Sequence, residues 1–79
     1  MTKEIIFEKL VKIFEAIGIN PINIKSNSKL IEDLGISSFD IMVIISEIEE
    51  EFKIEFALSS LRNVITIEDL INLISIEIK

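Results

Sequence analysis

Apolar residues recur at three- and four-residue intervals in three separate stretches. That rhythm constrains the fold more than any other feature of the chain. Ile6, Leu10, Ile13, Phe14 and Ile17 form one stripe, with Lys3, Glu8, Lys12 and Glu15 lying off it. Ile41, Ile44, Ile45, Ile48 and Phe52 fall within a sector of about 100° on a helical wheel. Ile67, Leu70, Ile71, Ile74 and Ile78 form the third stripe. A strand would instead alternate its faces with a period of two. The expected class is therefore all-α, a small four-helix bundle of three longer helices and a short third one. The 79 residues suit a single domain, 1–79, with a thin margin of stability. Isoleucine supplies 20 of them, and β-branched side chains are mediocre helix formers. These helices must draw their stability from packing against one another.

Local signals mark the ends. Thr2 is a candidate cap for a first helix from Lys3 to Ile17, and Gly18 supplies the stop. From Ile19 to Ser37 the rhythm breaks into turn chemistry, in "NPIN" (Asn20 to Asn23) and "SNS" (Ser26 to Ser28). A loop of this length in a small domain needs anchors. Ile19, Ile22, Ile24, Leu30, Ile31 and Leu34 are the candidates, with a short helical turn near Leu30. The second helix is expected from Ser38 to Phe52, and "KIEF" (Lys53 to Phe56) as a turn. A short helix is expected over Ser59 to Asn63. Thr66 opens the last helix, with Asp69 three residues on in capping-box spacing.

Composition excludes several kinds of chemistry. Cysteine and histidine are both absent, which removes disulfide scaffolds, the usual zinc sites and histidine general bases. The acids do not match the spacing of a Ca²⁺ loop, so no metal site is expected. The longest uncharged apolar run, Ile41 to Ile45, is far too short to span a membrane, and no secretory leader is visible. The missing cysteine suits the cytoplasm. Net charge is −6 and unevenly distributed. Residues 1–31 hold five lysines and three glutamates, whereas residues 32–55 hold eight acids and one lysine. The acidic segment repels phosphate backbones, which argues against nucleic acid, and attracts basic protein surfaces.

The stretch "GISSFD" (Gly35 to Asp40) concentrates the candidate chemistry. Ser37 and Asp40 have capping-box spacing, so Ser37 reads as the helix cap. Ser38 then projects from the first turn without a structural duty, where the helix dipole favours an attached phosphate. Phe39, Met42, Val43 and Ser46 make a second stripe roughly opposite the core sector. Asp40, Glu47 and Glu50 accompany it, and Glu49 to Glu51 form an acidic run. Solvated surface is the ordinary reading of such a run. A docking face for a basic partner is the sharper one.

"EDLGISSFDIMVIISEIEEEFKIEF" (Glu32 to Phe56) resembles the acyl carrier protein family. Asp33, Leu34 and Gly35 match its Asp-Leu-Gly element, and Glu49, Glu50, Glu51 and Phe52 its acidic helix end. "VITIEDLINLI" (Val64 to Ile74) is similar to the segment leading into its final helix. The resemblance implies a carrier, not an enzyme. It puts Ser38 on the serine that bears covalent 4′-phosphopantetheine, delivered from coenzyme A by a phosphopantetheinyl transferase. A borrowed thiol would replace the missing cysteine. The implied partners are loading and processing enzymes with basic or apolar docking surfaces, met by a monomer on Phe39, Asp40, Met42, Val43, Glu47 and Glu50.

The chain departs from the family pattern at four places: Ser37 stands for the usual Asp, Phe39 for Leu, Val43 for an acid, and Arg62 interrupts an acidic third helix. The implied pathways are of the fatty acid, polyketide or nonribosomal peptide type, with a dedicated D-alanyl carrier as an alternative. A helical interaction module that is never modified is the rival from another class. An autonomous enzyme is weaker still, for want of a base or an activated nucleophile.

Overall fold

In a computed structural model, which describes residues 1–78, the chain folds as α1 (Lys3–Ala16), α2 (Ser38–Phe52), α3 (Leu58–Leu61) and α4 (Ile67–Ile78). A single 3-10 turn, Pro21–Asn23, interrupts the first loop, where only irregular turn chemistry was expected. Asn20 caps it by accepting a hydrogen bond from Ile22 N–H at 3.0 Å. The all-α architecture expected from the three stripes is the one observed.

Each stripe turns inward. Ile6, Leu10 and Phe14 from α1 meet Ile44, Ile45, Ile48 and Phe52 from α2 and Ile67, Leu70, Ile71 and Ile74 from α4 in one buried cluster. Fully burying a side chain such as Ile48 contributes roughly 1.5–3 kcal/mol, which offsets the poor helix propensity of isoleucine. Ile13, Ile17, Ile41 and Ile78, at the edges of their stripes, pack against this cluster and are partly buried.

Helix ends follow local chemistry. Thr2 Oγ1 accepts from Ile5 N–H at 3.2 Å. α1 stops at Ala16, one residue short of the expected Ile17, because Ile17 N–H turns back to Phe14 O at 3.1 Å and Gly18 adopts φ +94°. α3 begins one residue before Ser59 and ends two before Asn63. Ala57 is extended and has no capping side chain, so the backbone bond Ser60 N–H to Ala57 O sets the start. At the head of α4 the Thr66–Asp69 box is complete. Thr66 Oγ1 accepts from Asp69 N–H at 3.1 Å. The Asp69 carboxylate accepts from Ile65 N–H at 3.0 Å and Thr66 N–H at 3.1 Å. These backbone donors favour the charged form and hold the Asp69 carboxyl below the usual carboxylate range.

The long first loop is a clamp on α4. Leu30 N–H donates to Ile65 O at 2.9 Å, Ile67 N–H to Ser28 O at 3.0 Å and Glu68 N–H to Ser26 O at 2.8 Å. Lys29 and Thr66 form an isolated antiparallel bridge. Ser28 is buried yet satisfied: its hydroxyl donates to Asn23 O and accepts from Lys25 N–H, each at 3.0 Å.

Two expected anchors of this loop need correction. Ile22 lies 75% exposed and Ile31 58% exposed. The 3-10 turn rotates Ile22 outward. The clamp points Leu30 into the core and so leaves its chain neighbour Ile31 at the surface. Ile24 and Leu30 are buried, Ile19 and Leu34 partly so. Ile36, which was not among the expected anchors, is buried as well.

Candidate functional site

The head of α2 is set by the turn that precedes it. Asp33 Oδ2 accepts from Lys29 N–H at 2.8 Å, and Asp33 N–H donates to Lys29 O at 3.0 Å, closing the single helical turn expected near Leu30. Gly35 then takes φ +66°, a conformation that costs an L side chain roughly 1–2 kcal/mol. The reversal drops Ile36 into the core and delivers Ser37 in an extended conformation to the helix start. The "DLG" stretch is thus the hinge that fixes where the two serines stand.

The serines have different duties. Ser37 Oγ accepts from Asp40 N–H at 3.1 Å, and Ile41 N–H donates to Ser37 O at 3.0 Å. The reciprocal half of the box is not formed: among the described residues the Asp40 carboxylate returns no bond to Ser37. Ser38 is the first residue of α2, and it is exposed. Among the described residues its hydroxyl makes no hydrogen bond, and the N–H groups of Ser38 and Phe39 find no acceptor.

Such a helix start offers two free donors and a positive dipole end to a phosphate esterified at Ser38, so the residues fit a phosphopantetheine group. The contrast with the other long helices is informative. At α4 the first amides are taken by Ser28 O, Ser26 O and Thr66 Oγ1. α1 offers no hydroxyl at the equivalent position, where Lys3 stands.

Behind Ser38, Phe39 is 75% exposed and Met42 57% exposed, while Val43 is partly buried and Ser46 exposed. Glu47 and Glu50 are exposed and Asp40 is partly buried. The acidic run divides in the same way as the serines. Glu49 is structural: its carboxylate accepts from Phe56 N–H at 2.9 Å and its carbonyl from Ile54 N–H at 3.1 Å. Lys53, at φ 58°, also donates its N–H to Glu49 O. Glu51 pairs with Lys9 of α1 at 2.9 Å, and this bond and charge hold its carboxyl below the usual range. That leaves Glu47 and Glu50 as the acids on this helix end without such duties.

An apolar cavity of roughly 200 Å³ lies beneath the first turns of α2, among Ile31, Ile41, Ile44, Leu61 and Val64. Sequence periodicity gave no sign of it, because its walls come from all four helices and the loops between them. The exposure of Ile31 and Ile65 was equally hidden. Among the described residues no group of acids is placed to hold a metal ion, and no helix is long and apolar enough to cross a membrane.

Comparison with known proteins agrees with this geometry. Residues 8–74 match the family model described as a phosphopantetheine attachment site. An acyl carrier protein from Campylobacter jejuni is 40% identical over 62 residues, covering 78% of this chain and 80% of the relative. One from Campylobacter concisus is 34% identical over the same shares. One from Wolinella succinogenes is 32% identical, covering 78% of this chain and 82% of the relative. Members of the family bear covalent 4′-phosphopantetheine and act as carriers, not catalysts. The helical bundle, the hinged serine turn and these similarities together show that the chain belongs to the acyl carrier protein family.

Proposed function

We propose that this protein carries acyl, aminoacyl or peptidyl intermediates as thioesters on a phosphopantetheine arm attached to Ser38. The observation that carries the assignment is the division between the serines: Ser37 is spent on the cap, while the Ser38 hydroxyl stands exposed and unbonded beside two free amides. In the transfer step the Ser38 oxygen forms a bond to the phosphorus that bears pantetheine in coenzyme A. The bond from that phosphorus to the adenosine bisphosphate breaks, and the hydroxyl proton leaves to a base of the transferase. When bound, the group supplies the thiol that this chain lacks. The pathway is of the fatty acid, polyketide or nonribosomal peptide type.

Phe39, Met42 and Val43 supply apolar contact for partner enzymes, and Asp40, Glu47 and Glu50 supply orientation. Exposed charge pairs contribute little to stability, so the value of these acids lies in on-rate and register with basic partner surfaces. Serine replaces aspartate before the attachment point without loss of the cap, so the helix start survives the departure from the family pattern.

Intact mass after incubation with coenzyme A and a broad-specificity transferase tests the reading. A gain of one phosphopantetheinyl group that vanishes in Ser38→Ala is the expected result. An unchanged mass with several transferases would favour the unmodified interaction module instead.

A further inference from the structure

α1 and α4 pack together, and an open groove of roughly 640 Å³ lies between their N-terminal turns. Its floor is apolar. Phe7 contributes from the flank of the inward stripe of α1, partly buried, and Ile71 contributes from the buried face of α4. Glutamates stand on both walls: Glu4 and Glu8 on α1 and Glu68 on α4, all exposed. Lys3 is the one cation among the lining residues. Glu68 N–H donates to Ser26 O at 2.8 Å, which ties the α4 wall to the first loop. None of the lining residues belongs to α2, so this face is separate from the helix that carries Ser38.

The charge of the groove is not balanced from within the chain. The ion pairs of the described residues, Lys9–Glu51 and Lys29–Glu32, involve none of the three glutamates. Glu4 and Glu68 lie in the first turns of their helices, where the dipole favours an acid. That accounts for both of them as helix stabilisers. It does not account for Glu8, which lies beyond the first turn and four residues from Glu4, a like-charge spacing that weakens a helix. A trough between two helices, apolar below and acidic on both walls, is complementary to a helix with an apolar stripe and lysines or arginines on either side of it. The same acids repel anionic lipid and nucleic acid.

We propose that the α1–α4 groove seats a basic amphipathic helix of a partner protein, which holds the carrier while leaving α2 and Ser38 uncovered. The inference goes beyond the attachment of an arm at Ser38 and stands without it. An apolar side chain of the partner fills the space over Phe7 and Ile71, and its basic flanks meet Glu4 and Glu8 on one side and Glu68 on the other.

The test is binding of a synthetic amphipathic helical peptide of leucine and lysine, followed by fluorescence anisotropy and by amide chemical shifts of the labelled protein. The expected shifts fall in residues 3–8 and 68–71 and leave α2 unmoved. Glu4→Gln/Glu8→Gln/Glu68→Gln should raise the Kd about tenfold or more. Glu15→Gln/Glu55→Gln/Glu77→Gln removes the same charge from exposed sites outside the groove and should change it less than about twofold. A peptide of the same composition, scrambled so that leucine and lysine no longer segregate, should bind about fivefold more weakly or worse. Ser38→Ala should bind the original peptide as wild type does. No binding, shifts centred on α2, equal losses in the two triple variants, or equal affinity for the scrambled peptide each overturn the proposal. Should circular dichroism show the groove variant unfolded, Glu8→Gln alone is read, with a rise of about twofold as the threshold. Wild-type self-association that the groove variant abolishes would give the groove to a second copy of the chain, which also overturns it.

Discussion

Exchanging each of the two adjacent serines for alanine should separate folding from attachment. The Ser37 hydroxyl accepts one hydrogen bond, from Asp40 N–H at 3.1 Å, at an exposed helix start. Its loss leaves that amide to water rather than burying it unpaired, so the cost is the ordinary one for a serine cap, about 1 kcal/mol. With a urea slope of about 1 kcal/mol per molar for a domain of this size, the midpoint in Ser37→Ala should fall by about 1 M. Ser38 Oγ holds nothing together among the described residues, and alanine is the better helix former. Ser38→Ala should therefore keep its midpoint or gain a few tenths of a kcal/mol. Both variants are then incubated with coenzyme A and a transferase. Ser37→Ala should gain the phosphopantetheinyl mass and Ser38→Ala should not. A reversed pattern, with Ser38→Ala destabilised and Ser37→Ala unmodified, would refute the division of roles.

Three further outcomes follow from the geometry. The Asp69 carboxyl is held below its unfolded value, so its contribution is complete above about pH 4 and is lost as pH falls through the lower folded value. The stability gap between wild type and Asp69→Asn, followed by thermal unfolding, should stay constant from about pH 7 to 5 and close towards pH 2; a gap that widens on acidification would contradict the sign. Lys53 occupies the left-handed region at φ 58°, so Lys53→Gly should stabilise by about 0.5–1 kcal/mol in urea titration, after the greater chain entropy of glycine is set against the relieved strain, and a loss of stability would show that the conformation is not strained. Val43→Glu should change the KM for transferase while costing less than about 1.5 kcal/mol of stability; a larger cost would mean that Val43 belongs to the core and not to the docking face.

Residues whose neighbours lie within one helical turn were legible in the sequence. The stripes through Ile6, Ile44 and Ile67 are buried as their period requires, and Thr2, Ser37 and Thr66 cap the helices they precede. Helical geometry converts spacing directly into a face, and a cap needs only a side chain and an amide three residues away. The head of α2 was therefore readable before any coordinates. The free Ser38 side chain followed from the same spacing, because Ser37 takes the cap; the structure adds that, among the described residues, no group from elsewhere in the chain reaches the Ser38 hydroxyl.

The first loop shows what tertiary structure alone decides. Nothing local distinguishes Ile31 from Ile36, yet one is at the surface and the other in the core. Their fates depend on which carbonyls of the loop meet the unpaired amides of α4, a pairing across more than thirty residues that has no period to betray it. Glu49 and Glu50 are likewise equivalent as letters. The reversal after Lys53 brings Phe56 N–H back to Glu49 and leaves Glu50 in water. Repeating local geometry determined the helices and their inward faces. The return of distant backbone groups to one another decided which isoleucines and which acids remain exposed.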